Sequence, residues 1–168
     1  NLFYTLVASK IEPFLQGLQA VAASGAGTKE KIRSYMLELL TFLRENKDLY
    51  RILWYEVSGN QRGFHPVILN DGSWEMSSLY GDTLSEDEYK RILRYRDLIR
   101  EQVLCLVAII SEGMEQGFMK YGQPTVTAHH LFGGVAMSVL HYVGEQEFTD
   151  AELADLIVDR FLYGHAIR

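Results

Sequence analysis

Apolar residues recur at every third or fourth position along most of the chain, which is the spacing that lines one side of an α-helix. The pattern predicts a first helix over residues 2–23, and Pro13 is expected to kink it because proline removes a helical hydrogen bond. After a glycine-containing break, a second helix is predicted to begin at Thr28, whose hydroxyl is expected to cap it. A shorter third helix is predicted for about residues 48–57.

Two capping boxes predict where two later helices begin. In each box a hydroxyl residue precedes a glutamate by three positions, so that each side chain can accept a backbone N–H of the other residue. The two pairs are Ser85 with Glu88 and Thr149 with Glu152. A long helix is predicted to run from the first box to about Met119. A helix over about residues 125–143 and the final helix after Thr149 are expected to form an antiparallel hairpin.

The segment 58–84 interrupts this helical pattern. It is rich in Gly, Asn, Asp and Ser but retains large apolar residues, so we expect it to fold back onto the body of the protein. We hypothesise that Phe64, His65 and Trp74 form a lid or an arm that reaches across a dimer. No alternating segment is long enough to predict a sheet, and no repeat of fixed period occurs. The predicted fold class is therefore all-α, a single-domain bundle of about six helices over residues 1–168.

Composition and charge restrict the class of protein. The 168 residues are 48% hydrophobic and 23% charged, which is typical of a globular chain. The formal net charge of −6 argues against this segment itself wrapping nucleic acid, because phosphate binding needs a concentrated basic surface. The single Cys105 cannot form an internal disulfide and no run of about 20 apolar residues occurs, so a cytoplasmic protein without membrane contact is expected. The absence of an initial Met suggests a fragment of a longer chain.

Catalytic and metal-binding motifs are not found. His129 and His130 are adjacent and point to different faces of a helix, while His130 and His141 lie about three turns apart, so neither pair is expected to chelate a metal. There is no phosphate-binding glycine loop, nucleophile elbow or metalloprotease motif, so we expect neither an enzyme nor a cofactor. Carboxylates on outward helix positions are interpreted as solvated charges: Glu112 with Glu115, and Asp155 with Asp159.

Two charged residues interrupt apolar stripes, and aromatic residues are dense around them. Arg96 and Glu56 would be buried by their helices and would need partners. Arg96 either pairs inside the protein, with Glu56 as one candidate, or reaches the surface, or meets an anionic or carbonyl group of a ligand. The aromatic residues between positions 50 and 95 fit either a packed core or a cavity for a flat or amphipathic small molecule. The candidate ligand-binding residues are Tyr50, Trp54, Phe64, Trp74, Tyr95, Arg96, Ile99 and Met114.

Several stretches, taken in order, resemble TetR-type (tetracycline-repressor-like) transcriptional regulators. Residues 1–7 resemble the start of the helix that follows that family's helix-turn-helix, and residues 28–55 resemble the next two helices. Ser111 to Phe118 resembles the end of the long helix beside the ligand cavity, and residues 128–164 are similar to the dimerisation hairpin. These motifs specify the order and boundaries of helices rather than any chemistry.

The resemblance implies an effector-binding and dimerisation domain over residues 1–168. The last two helices would pair with their copies in a homodimeric four-helix bundle, and the central helices would enclose a cavity for a small-molecule effector that relieves repression. The expected interface residues are Phe132, Val135, Val139, Leu153, Ile157 and Phe161. Small residues beside them, such as Gly134 and Ser138, would permit close helix approach. The N-terminal helix-turn-helix is absent from this chain, so contact with operator DNA is expected only through that missing domain.

Two other functions remain open from the residues alone. One is a helical-bundle protein or enzyme that binds a metal ion or haem through its histidines. The other is a protein-interaction bundle without a cavity.

Overall fold

The computed structural model describes residues 2–58, 64–68, 74–78, 85–141 and 148–165, with side chains over residues 5–54, 85–139 and 148–163. These ranges contain six α-helices and one short β-hairpin, and the all-α prediction is confirmed. Within them, no helix is both long and apolar enough to cross a membrane. The elements are α1 Leu2–Ala23, α2 Thr28–Glu45, α3 Lys47–Ser58, β1 Phe64–Ile68, β2 Trp74–Ser78, α4 Glu86–Glu115, α5 Pro124–His141 and α6 Asp150–His165.

Both capping boxes form as the sequence predicts. The Ser85 hydroxyl donates to Glu88 Oε2 at 2.8 Å, and the Glu88 amide donates to Ser85 Oγ at 3.3 Å. At the start of α6, the Thr149 amide and hydroxyl each donate to Glu152 Oε2 at 2.8 Å. These bonds satisfy backbone donors that an uncapped helix would leave free, and they explain where α4 and α6 begin.

The long helix α4 ends four residues earlier than the sequence predicted. Its last turn closes with Gly117 in the left-handed conformation at φ 72°. The Gly117 amide donates to the Met114 carbonyl at 3.1 Å, and the Phe118 amide donates to the Gly113 carbonyl at 2.9 Å. This is the Schellman pattern, in which a glycine reverses the chain and satisfies the last carbonyls of the helix.

Thr28 begins α2 but does not cap it, which corrects the prediction. Gly27 occupies the N-cap position in an extended conformation, and no side chain makes a capping hydrogen bond there. The Thr28 side chain is instead buried against α4, where a Cβ at Gly113 would lie 2.6 Å from Thr28 Cγ2. The close approach of the two helices therefore depends on glycine at position 113, because a Cβ there would also lie 3.2 Å from the Thr28 hydroxyl oxygen.

The β-hairpin formed by β1 and β2 was not predicted. β1 and β2 are antiparallel, with Phe64 opposite Ser78 and Ile68 opposite Trp74. Each strand has only five residues, too few for an alternating pattern to stand out from the surrounding loop composition. The side chains of the predicted lid residues Phe64, His65 and Trp74 lie outside those that the structure describes.

The chain divides into two compact units. One comprises residues 1–47 and 101–168, and the other residues 48–100, so that α4 contributes its first half to one unit and its second half to the other. The prediction of a single domain stays a prediction. In the first unit, α2 packs against α1, α5 and α6. The residues that α2 buries there follow the predicted apolar stripe and include Ile32, Tyr35, Met36, Leu39, Leu40 and Leu43.

Two contacts in this first unit fix α2 against its neighbours. The ring of Phe42 stacks on Phe14 of α1, with centroids 4.1 Å apart. The buried Tyr35 hydroxyl donates to the Gln102 carbonyl of α4 at 2.9 Å, so the polar tip of this core residue is satisfied. The core of the unit is thus organised around α2.

A row of ion pairs joins α2 to α6. Asp155 and Asp159 are exposed, as the sequence predicts, and both in addition form ion pairs across helices. Burial of the apolar stripe sets the two helices side by side and brings opposite charges within reach. The pairs are Lys29 with Asp159 at 3.0 Å, Arg33 with Asp155 at 3.1 Å (Nη2 to Oδ2), and Arg44 with Asp150 at 2.8 Å.

A buried lysine connects three helices. The Lys31 side chain is only 5% exposed, and its Nζ lies 2.6 Å from Glu112 Oε2 of α4 and 3.1 Å from the Ala22 carbonyl at the end of α1. Glu112 also accepts a 2.9 Å hydrogen bond from Gln116. Glu112 is therefore an ion-pair partner, not the solvated charge that the sequence suggested. Its carboxylate and the helix-end carbonyl together compensate the burial of the ammonium group.

Replacing Lys31 by Met should lower the free energy of unfolding by about 2 kcal/mol, because two charge-assisted hydrogen bonds are lost from a buried position. Lys29→Met provides the matched control on the same helix. Its pair with Asp159 is 51% and 69% exposed, so a loss below about 1 kcal/mol is expected. Urea denaturation of both variants measures the difference. Equal losses would show that the Lys31 contacts are not special.

Stability should fall as the pH drops from about 5 to about 3. The backbone amide and hydroxyl of Thr149 hold the pKa of Glu152 below its ordinary value, and the Arg33 guanidinium does the same for Asp155. Such groups stabilise the folded state above their ordinary pKa, and this contribution is lost as the pH falls through the lowered one. In thermal unfolding across this range, Glu152→Gln should reduce the pH dependence, whereas Glu115→Gln, at an exposed position, should leave it unchanged.

Candidate functional site

Seven of the eight predicted ligand-binding residues belong to the unit formed by residues 48–100, and the side chains of five of them are described. Tyr50 of α3 and Tyr95 of α4 are fully buried, and Trp54, Arg96 and Ile99 are half-buried. Burial raises the pKa of Tyr50, so its hydroxyl remains a neutral hydrogen-bonding group. The unit therefore combines buried aromatic residues that carry polar tips with the half-buried side chain of Arg96.

The structure gives Arg96 a partner that the sequence did not suggest. Its Nη2 lies 2.9 Å from Asp97 Oδ1, and the two side chains are 22% and 41% exposed. The interpretation that Arg96 pairs within the protein is thus confirmed, and the acidic partner is Asp97. The side chain of Glu56, the candidate proposed from the sequence, lies outside the described ones. The sequence did not indicate Asp97 as this partner, because position 97 falls where an outward, solvated residue is expected.

The remaining predicted ligand-binding residues are placed differently. Phe64 and Trp74 each begin a strand of the hairpin, and only their backbone is described. Met114 is buried in the last turn of α4 and belongs to the other unit. A Cβ at Gly122 would lie 3.8 Å from Met114 Cε, so Met114 packs beside the turn that leads to α5.

Most of the predicted interface residues contribute to the core of the protomer. Phe132, Val135 and Val139 on α5 and Leu153 on α6 are buried, so little of their surface is left for a second copy to cover. Ile157 and Phe161 are half-buried. The sequence showed which positions of the hairpin are apolar, but both sides of α5 are apolar, and the pattern could not decide which side faces α2.

A different set of residues forms the outward surface of the two helices, here called the hairpin face. It exposes large apolar side chains on both helices. Gly134 and Ser138, which lie close to Met137 on α5, are also exposed. A Cβ atom at Gly133 or Gly134 would have no neighbouring atom within 4 Å, so another helix could approach the backbone of α5 closely at these positions. The exposed apolar residues of the face are Val126 (52%), Met137 (38%), Leu156 (36%) and Tyr163 (77%).

A hollow of about 430 Å³ lies between the helices of the hairpin face. Half-buried Ile157 and Phe161, with Leu131, form its apolar lining, and His130 and Arg160 contribute polar groups. His129, the neighbour of His130, has its Nδ1 2.8 Å from the Thr125 carbonyl of its own helix. Across the described part of the chain, no three His, Cys, Asp or Glu residues are grouped to hold a metal ion.

A second hollow, of about 470 Å³, lies between the end of α1 and the middle of α4. It contains the half-buried Cys105, whose pKa is raised by burial and by the nearby Glu101 carboxylate. The thiol is therefore less ionised than that of an ordinary cysteine. None of the residues that line this hollow was predicted as a site residue.

Comparisons with known proteins identify the fold. No family model matches the chain, and no curated protein matches it. Among solved structures, a TetR/AcrR family transcriptional regulator from Thermobifida fusca is 20% identical with a TM-score of 0.66, covering 97% of this chain and 72% of that one. The TetR family transcriptional regulator PfmR from Thermus thermophilus is 14% identical with a TM-score of 0.68, covering 96% and 73%. The chain has a TetR-like fold.

Proposed function

We propose that the chain is the ligand-sensing and dimerisation part of a TetR-type transcriptional regulator, a repressor whose DNA binding is relieved by a small-molecule effector. The observation that carries the proposal is the TetR-like fold over nearly the whole chain, combined with an exposed apolar face on its last two helices. The net charge of −6 does not favour phosphate contacts, so the proposal assigns sensing and pairing, not DNA contact, to these residues.

The hairpin face supports pairing with a second copy. Exposed apolar residues on two adjacent helices are a feature of protein interfaces, and covering them is favourable by roughly 25 cal/mol per Å². The open backbone at Gly133 and Gly134 lets a helix of a second copy approach closely. In a twofold-symmetric dimer the same surface would meet itself and form a four-helix bundle.

The unit of residues 48–100 supports ligand sensing. Its aromatic residues offer flat apolar surface, and its buried tyrosines carry hydroxyls that can orient a ligand. The side chain of Arg96 pairs with Asp97 and is 22% exposed, and its positive charge favours a ligand that carries an anionic or carbonyl group. The effector class that fits these groups is an aromatic or amphipathic small molecule with an anionic or carbonyl group.

Regulation would follow from a shift between dimer geometries. An effector that binds one arrangement of the helices more tightly than another shifts the population toward it. In a dimer, such a shift changes the spacing of the two DNA-binding parts, which then no longer fit two half-sites of an operator. Sensing and pairing would thus be linked through the same helical framework.

Placing a charge on the hairpin face should separate the dimer. Met137→Glu and Leu156→Glu each put a carboxylate into a surface that pairing would desolvate, and we expect dimer dissociation constants at least about tenfold higher. Ile52→Glu, at a position of α3 that is 47% exposed, is the control and should pair as the parent protein does. Sedimentation equilibrium measures all three. A parent chain that is monomeric at micromolar concentration would contradict the pairing.

Removing the Arg96 charge should weaken binding of an aromatic anion. With 8-anilinonaphthalene-1-sulfonate as the probe, Arg96→Gln should raise the dissociation constant about fivefold or more, because a charge-assisted contact is lost. Arg100→Gln removes the same charge from an exposed position of α4 and should have little effect. Fluorescence titration gives both constants. Equal effects of the two variants would mean that the probe senses only net charge.

A further inference from the structure

The hollow between α1 and α4, here called the α1–α4 groove, has the features of a small-molecule site. Ala22 and Ala23 of α1 face Leu104 and Ala108 of α4, so its walls are apolar and its small side chains leave the space open. Leu104 is 46% exposed, so part of its apolar surface is accessible from the groove. The volume of about 470 Å³ falls within the roughly 300–1,000 Å³ typical of ligand pockets.

The groove contains one charged side chain, the half-buried Glu101. In the described part of the chain no ion pair or hydrogen bond is found for its carboxylate. The other polar side chain in the lining, Gln19, is uncharged. Glu112, three turns further along α4, differs from Glu101 in having Lys31 Nζ at 2.6 Å.

This arrangement selects the charge of the occupant. A carboxylate that is partly removed from water and lacks a counter-ion is destabilised, and a cation beside it relieves that cost. The field of Glu101 reaches into the groove, since the same carboxylate contributes to raising the pKa of Cys105. An anionic ligand would be repelled there, and a neutral one would leave the carboxylate uncompensated.

We infer that the α1–α4 groove binds a lipophilic organic cation, with Glu101 as its counter-ion and Leu104, Ala22 and Ala108 as its apolar contacts. The site shares no residue with the proposed effector-binding set, and it does not depend on dimerisation. A metal ion does not fit, because a single carboxylate and apolar walls offer too few oxygen ligands. The protein thus has a second ligand class, opposite in charge to the one that Arg96 favours.

Cys105 makes the groove directly testable. It is the single cysteine of the sequence, and it lines the groove in a half-buried position. A thiol reagent added to the intact protein therefore modifies a group inside the groove and nowhere else. Occupancy of the groove by a ligand is read as protection of this thiol.

The experiment uses tetraphenylphosphonium as the cation and tetraphenylborate as an anion of matched shape. Modification of Cys105 by N-ethylmaleimide at pH about 7, where maleimides react with thiols much faster than with amines, is followed by mass spectrometry. We expect saturating tetraphenylphosphonium to slow modification at least about fivefold and tetraphenylborate to have little effect. Isothermal titration supplies the dissociation constant of the cation.

Glu101→Gln keeps the shape of the side chain and removes its charge, and should weaken cation binding about fivefold or more. Glu115→Gln removes the same charge from an exposed position of α4 and should leave the affinity unchanged. Because Glu101 raises the pKa of Cys105, the Glu101→Gln variant should react faster when empty. Protection is therefore compared as a ratio with and without ligand within each variant.

Each other outcome overturns the inference. The groove is not a binding site if the cation does not bind, or if it binds without protecting Cys105. The carboxylate has no role if the anion protects Cys105 equally well, or if Glu101→Gln leaves the affinity for the cation unchanged. Protection that appears without ligand and disappears on dilution would assign the groove to a second copy of the chain. The comparison of cation and anion on the parent protein requires no variant to fold. Failure here leaves the Arg96 and sedimentation results untouched, so the two proposals are tested separately.

Discussion

Burial of one side of α2 is the interaction on which the first unit depends. Its apolar stripe meets α1, α5 and α6, and the removal of this stripe from water is the main driving force for assembling these helices. The contacts that the polar groups of α2 make follow from that placement. The Tyr35 hydroxyl reaches the Gln102 carbonyl inside the core, and the charges at its edges meet opposite charges on neighbouring helices. The ion pairs thus fix an arrangement that apolar packing has already set.

Helix α5 carries apolar residues on two sides. Phe132, Val135 and Val139 face inward and are buried in the protomer, while Val126 and Met137 remain exposed on the same helix. A helix that is apolar on both sides is stable in water only where each side is covered. The inner side is covered by the protomer itself, and the proposed partner of the outer side is a second copy of the chain.

The two charged groups proposed to bind ligands differ from the structural charges in what surrounds them. Lys31 is enclosed by a carboxylate and a helix-end carbonyl, so its contacts are complete within the protein. Arg96 has Asp97 but keeps an accessible side, and Glu101 faces an apolar groove. The structural charges hold helices together, whereas Arg96 and Glu101 are the charges to which the two proposals assign ligands.

The sequence by itself determined the helices, because their signals are local. Spacing of apolar residues and two capping boxes act within a few residues, and they predicted the number and order of helices and most boundaries, although the end of α4 at the Gly117 turn was placed four residues too late. Tertiary structure decided the remainder. The partner of Arg96, the inward side of α5, the pairing of Asp155, the displaced Thr28 hydroxyl and the α1–α4 groove all depend on which distant residues meet. That choice follows from packing three-dimensional surfaces against each other, which periodicity along a chain does not encode.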